Sequence, residues 1–332
     1  MRTSVLILVI VGMAAAASGA PAAGAEPASS VAPLADGEAW IAYQSDEPRG
    51  HAVHIVRPDG TGAVFPLAAV PGGQQLHPDW SPDGRRMVFD VDDGAGGIWV
   101  ADTSDWSADM LVSCESPCLW VSEPAWSRNG SSIAFQRHTQ TADGEISTVE
   151  VMDLGSGDLR TVATSGPDVQ LYAPRWSADD ASLVVEMPSF SADGAVLGDA
   201  LGIIDVDAPS AEVRTIVPGR AMANNPDWSP DGTLIVYSAP IDGGEAGGAR
   251  SDLWIIAADG TAPRQLTDVA LGNGSAVHPT FTPDGTRVIF KLSGVPGYLD
   301  AMATVAIDGT DLRPATTSGP MLGWHPRVRP TP

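Results

Sequence analysis

HPDWSPDGRRMVF, residues 77–89, reads as a strand, a tight turn and a second strand. Pro82 presets the turn dihedral and Gly84 is free to take positive φ, so the chain reverses within four residues. The same hairpin returns as EPAWSRNGSSIAF from Glu123, APRWSADDASLVV from Ala173, NPDWSPDGTLIVY from Asn225 and HPTFTPDGTRVIF from His278. Aligned on the first proline (Pro78, Pro124, Pro174, Pro226, Pro279, Pro326), the intervals are 46, 50, 52, 53 and 47 residues. That is the length of a four-stranded propeller blade and is too long for leucine-rich or ankyrin units.

Within the second blade the strands read HPDWS, RRMVFDV, GIWVAD and DMLVSC, with turn residues between them. No long segment has helical periodicity. Before Pro78 the chain supplies only three strands, AWIAYQ, AVHIVR and AVFPLA; after the last repeat proline it supplies one more, HPRVRP. The last strand therefore completes the first blade, giving an all-β six-bladed propeller over 36–332 whose closure removes exposed edges. Trp80, Trp126, Trp176, Trp228 and Phe281 fall at equivalent places and are expected to wedge between neighbouring sheets.

Arg2, the apolar run Val5–Ala17 and the small residues Ala23-Gly24-Ala25 read as a signal peptide over 1–25, followed by a linker over 26–35. That run is too short to span a bilayer, so an exported, secreted or periplasmic, monomeric protein is expected, without membrane insertion. The formal net charge is -23; removing 1–25 takes away one arginine and no acid, leaving -24. So acidic a surface repels phosphate backbones and anionic lipid, which excludes nucleic acid as a partner. Cys114 and Cys118 are expected to form a local disulfide in an oxidising compartment.

The A-B turns are short, so the face they form is expected to be flat. The longer B-C connections, such as the one from His138, share the other face with the D-A crossovers, and that face is the expected ligand surface. The residue before each repeat proline opens the innermost strand at the mouth of the central channel: His77, Glu123, Ala173, Asn225, His278 and His325. Arg175 and Arg327 follow their prolines, and Trp106, Trp120, Tyr298 and Trp324 are candidate anchors. No cofactor is expected; the alternative is a divalent metal on His77, His278 and His325. No G-x-S-x-G elbow, H-E-x-x-H or phosphate loop is present, so no catalytic residue is assigned.

The P-x-W-S-P-D-G hairpin, the D-G turn before the fourth strand and RQLT at 264–267 resemble the WD40-like repeat of the TolB-type six-bladed propellers. The resemblance implies a binding propeller outside the cytoplasm that recognises a protein, peptide or cell-envelope component. The repeat is also similar to that of the oligogalacturonate lyases, which implies the alternative function, a metal-dependent polysaccharide lyase using the histidines. Two hairpins depart from the pattern: WSRNG loses the proline, and WSADD loses both proline and glycine.

Overall fold

The computed structural model describes residues 32, 34–47, 50–67, 70, 73–92, 96–208, 212–241, 250–295, 301–316 and 323–331. The expected signal peptide, the start of the linker and Tyr298 lie outside the described residues. Six antiparallel sheets form the ring. In the second blade the strands run Gln74–Trp80, Arg86–Asp92, Gly97–Asp102 and Ala108–Ser113, from the axis outward. The first blade is closed by Trp324–Val328 pairing with Ile41–Glu47, as the strand count requires. Its outer strand departs from expectation: AVFPLA contributes only the single bridge Ile55–Val64 among the described residues. Proline inside that run removes a ladder donor, which explains the short pairing.

The core is divided among the interfaces between blades rather than gathered at one centre. One cluster packs Ala125, Ala134, Val149 and Val151 of blade three against Trp176, Leu183, Val185 and Ile204 of blade four. A second packs Ile289 and Met302 of blade six against Ile41, Tyr43 and Val56 of blade one. The five repeat aromatics are buried in these seams. Two of the indoles also donate across a seam, Trp80 Nε1 to the Arg327 carbonyl at 3.1 Å and Trp176 Nε1 to the Ala125 carbonyl at 3.2 Å. The expected wedge role therefore has a polar component that the repeat does not reveal.

The hairpin that lacks proline and glycine keeps its shape by another route. Asp180 takes φ +58, where Gly84, Gly232 and Gly285 take +66, +72 and +68. Aspartate tolerates this left-handed backbone better than most side chains. Its carboxylate then accepts the backbone N–H groups of Arg128 and Asn129, at 2.6 and 2.9 Å, in the neighbouring turn.

Cys114 and Cys118 are joined, with Cα atoms 5.3 Å apart, in the crossover from the second to the third blade. Closing so short a loop stabilises by about 2 kcal/mol on the chain-entropy model. A Cys114→Ser/Cys118→Ser variant should therefore unfold at lower urea, by about that amount, with an unchanged far-ultraviolet spectrum. A lost β signature would show that the bridge holds more than its loop. The described residues include no helix long and apolar enough to cross a membrane.

Candidate functional site

Every innermost strand carries the same irregularity at its proline. Pairing slips between Leu76 and Asp79, Ser122 and Ala125, Tyr172 and Arg175, Asn224 and Asp227, and Val277 and Thr280. The closing strand slips in the same way between Trp324 and Arg327. A proline cannot donate to the ladder, and the residue before it is barred from the right-handed helical region, so a bulge forms there. The preceding residue turns left-handed in all six blades: His77, Glu123, Ala173, Asn225, His278 and His325 have φ between +46 and +55. For a non-glycine residue this costs on the order of 1 kcal/mol each. Six repetitions of one strained geometry set a ring of side chains around the axis.

Polar side chains from the second strands support that ring. Asp90 accepts the backbone N–H of Glu123 at 3.2 Å, Gln136 that of Ala173 at 2.9 Å, and Glu186 that of Asn225 at 2.9 Å. Each support reaches from one blade to the next, so the channel wall is cross-linked. The sequence reading missed these residues. Their only signal is a polar residue amid the apolar RMVFD, IAFQ and LVVE runs.

The expected mouth residues separate into two arcs. His278, His325 and His77 belong to consecutive blades and touch, with ring centroids 4.1 Å apart for His278–His325 and 4.6 Å for His77–His325. Burial alone would lower the His77 pKa, but contact with Asp90 at 2.9 Å and the nearby Glu123 carboxylate at 3.7 Å raise it above the usual value. His278 is pushed down to about 3 by burial, then by Lys291 and His77. His325 is also pushed well below the ordinary range by burial and by its neighbour His278. One imidazole is thus held toward the cation and two are held neutral.

The opposite arc is acidic. Glu186 and Asp199 share a hydrogen bond; burial pushes both carboxyls up, the Glu123 charge adding to the rise of Glu186 and the Glu186 charge to that of Asp199. Nearby, Trp120 stacks on the fully buried His138, centroids 4.2 Å apart, and His138 Nδ1 meets Glu145 at 2.8 Å. Of the expected anchors, Trp120 and Trp324 are half-buried at this mouth, Trp324 beneath Lys291 and beside His278. Trp106 is instead buried in the seam between the first two blades.

The face of short turns is not flat at its centre. Five of these turns and the segment after the closing strand, at Pro330, stand around the axis and enclose a cavity of about 200 Å³ lined by Asp79, Arg128, Arg175, Asp227, Thr280 and Arg327 and by the repeat aromatics. Short turns were expected to leave no feature, but the cavity comes from their circular arrangement, not their length. Toward the histidines it narrows to a void of about 10 Å³, reached by Glu123, His278, His325, Arg175 and Arg327. Arg175 and Arg327 therefore sit at the waist between the two mouths.

The metal alternative can be tested against this geometry. Among the described residues, no group of three or more His, Cys, Asp or Glu side chains is arranged to hold a metal ion. The His325 ring lies edge-on to His77 and tilted against His278, and His77 already spends Nδ1 on Asp90. That leaves His77 only Nε2 to offer an ion.

No protein-family model matches the chain. The uncharacterized peptidase YuxL of Bacillus subtilis is 22% identical over 214 residues, covering 54% of this chain and 31% of that protein. An uncharacterized protein of Agrobacterium fabrum is 22% identical over 213 residues, covering 64% of each. The chain thus spans less than two thirds of the length of either relative. Among solved structures, TolB from Acinetobacter baumannii superposes with a TM-score of 0.63 at 17% identity, covering 90% of this chain and 68% of that one. Oligogalacturonate lyase in complex with manganese superposes at 0.53 and 17% identity, covering 85% and 74%. At these identities the likeness is one of fold, and by fold the chain is a TolB-like six-bladed β-propeller.

Proposed function

We propose that this is an exported, non-catalytic propeller that binds a protein, peptide or cell-envelope component at the B-C/D-A mouth of its channel. The observation that carries the reading is the ring of six left-handed residues, a repeated strain that aims side chains into a channel the blade cores do not need. The likeness to TolB structures and the disulfide support export and binding. The mechanism is rigid presentation: cross-linked walls hold Glu123, His77 and the half-buried Trp120 and Trp324 in place, so little ordering entropy opposes a partner.

Selection of displayed peptides on residues 26–332 tests this. Binders should lose at least tenfold in affinity on Trp120→Ala or Glu123→Gln, the level expected of anchors in a desolvated mouth. Binders indifferent to both substitutions, or none recovered, would sink the reading.

A second reading, a metal-dependent lyase-like enzyme, draws only on the adjacency of the three imidazoles. It requires a near-stoichiometric transition metal in the dialysed protein that a His77→Ala/His278→Ala/His325→Ala variant lacks. With His77 Nδ1 already committed to Asp90, the expected result of elemental analysis is no such difference.

A further inference from the structure

Arg175 lies in the waist of the channel with only 7% of its surface exposed, yet no ion pair holds it among the described residues. Its Nη1 donates to the backbone carbonyls of Pro174 and Glu123, at 2.9 and 3.5 Å, and its buried Nε has no hydrogen-bond partner. Leaving a charge buried without a counter-ion within ion-pair distance is strongly unfavourable. In a chain of net charge -23, in which acids outnumber bases 41 to 18, that is the opposite of what composition would place there.

A second arginine reinforces the anomaly. Arg327 comes from the blade opposite in the ring, is 8% exposed, and lines the same two cavities. It has a partner in Asp79, at 3.6 Å, but burial and then the Arg175 charge still push its pKa down to about 10. Arg128 stands at the rim of the same cavity, its Nη2 donating to the Trp228 carbonyl at 3.4 Å. Asp227, the other acid in the ring, already accepts from Thr280 Oγ1 and the Phe281 N–H, at 2.7 and 2.9 Å, so it is committed to the blade seam. Asp79 likewise accepts the Trp126 N–H at 2.8 Å. The guanidinium donors are thus left for something that enters the cavity.

Shape narrows what that is. The cavity of about 200 Å³ opens among the turns and closes down to about 10 Å³ at the level of His278 and His325. An extended chain can enter only by its end. Tryptophan, phenylalanine and proline walls (Trp126, Trp228, Phe281, Pro82, Pro230, Pro283) suit the apolar flank of a peptide. Paired guanidinium groups suit a planar carboxylate.

We propose that this second mouth binds the C-terminal carboxylate of an extended peptide between Arg175 and Arg327. The inference rests on the reading of the molecule as a binding propeller and adds a second subsite, at the other end of its channel, with its chemistry. Two fluorescein-labelled pools of random pentapeptides, identical except for a free carboxylate or a carboxamide at the C-terminus, make the test on residues 26–332. The free-acid pool should bind at least tenfold more tightly, and Arg175→Gln should erase the difference while leaving the thermal midpoint within a few degrees. Arg128→Gln, on an exposed rim residue, should reduce it about threefold and keeps the test open if Arg175→Gln fails to fold.

Equal binding of the two pools, unaffected by either substitution, would overturn the terminal-carboxylate assignment and leave a binding propeller. Binding of neither pool would overturn it together with the peptide reading. Displacement of the free-acid pool by millimolar inorganic phosphate would overturn it in favour of a small-anion site, and displacement by oligogalacturonate alone in favour of a uronate site.

Discussion

Replacing Asp252 with alanine is expected to lower the free energy of unfolding by about 4 kcal/mol, the largest loss from any single substitution argued for this chain. Asp252 has no exposed surface, and its carboxylate is the acceptor for four donors. Gln265 Nε2, Thr267 Oγ1 and the Val269 and Ala270 N–H groups approach at 2.9, 2.8, 2.8 and 3.4 Å. These donors lie along the path from the short outer strand of blade five to the first strand of blade six. Alanine would strand them without water, at about 1–3 kcal/mol for each group left unpaired. Urea denaturation measures the loss, and Asp252→Asn, which keeps one acceptor oxygen, should fall between. A shift under 1 kcal/mol would mean that the crossover is held by its flanking hydrophobic contacts instead.

The second large effect depends on pH. Glu186 and Asp199 both have carboxyl pKa values raised by burial, with the Glu123 charge adding to the first and the Glu186 charge to the second, and Asp199 keeps one oxygen unpartnered. A carboxyl raised in the folded state contributes stability that is fully present below its unfolded value, near pH 4, and is lost as pH rises through the folded values. Between the unfolded and folded values, stability should fall by roughly 1.4 kcal/mol per pH unit for each proton the folded state holds in excess. His278 and His325, with lowered values, act the other way: their contribution is present above the unfolded value near pH 6.5 and lost below it. His77, with a raised value, adds to the loss at higher pH.

Comparing wild type with Asp199→Asn cancels the histidines and isolates the pair. The variant should gain on wild type steadily from pH 5 toward pH 8, because a neutral amide replaces a group that folding keeps protonated. Parallel stability curves for the two proteins would show that the pair is solvated and ionised.

The fold was legible because its signals are local. A Pro-x-Trp-Ser-Pro-Asp-Gly hairpin needs only adjacent residues to declare two strands and their turn, and its recurrence at a 46 to 53 residue interval declares the blade. The position before each proline was also legible as a ring. What could not be read was its backbone: asparagine and histidine tolerate the left-handed region better than most, but Glu123 and Ala173 adopt it with no such tendency.

Contacts between blades were equally hidden. Asp90 and Glu123 stand 33 positions apart, and Asp227 and Phe281 54, with no pattern in either stretch to match donor to acceptor. The cavity among the turns was missed for a related reason. Loop length describes one turn, whereas the cavity belongs to five of them and the closing strand's end standing in a circle.

The closing strand also sets an order of events. Trp324–Val328 pairs with Ile41–Glu47, and nearby the Arg329 side chain donates to the Ala35 carbonyl across 294 positions of sequence. A contact of that span cannot form until nearly all the chain is available, while each other blade is a local meander free to fold as it emerges. The first strands must therefore wait, unlatched, for the last. Until they are joined, blade one presents a bare edge to any passing strand, so the interval between making residue 47 and making residue 324 is when this molecule most needs a chaperone.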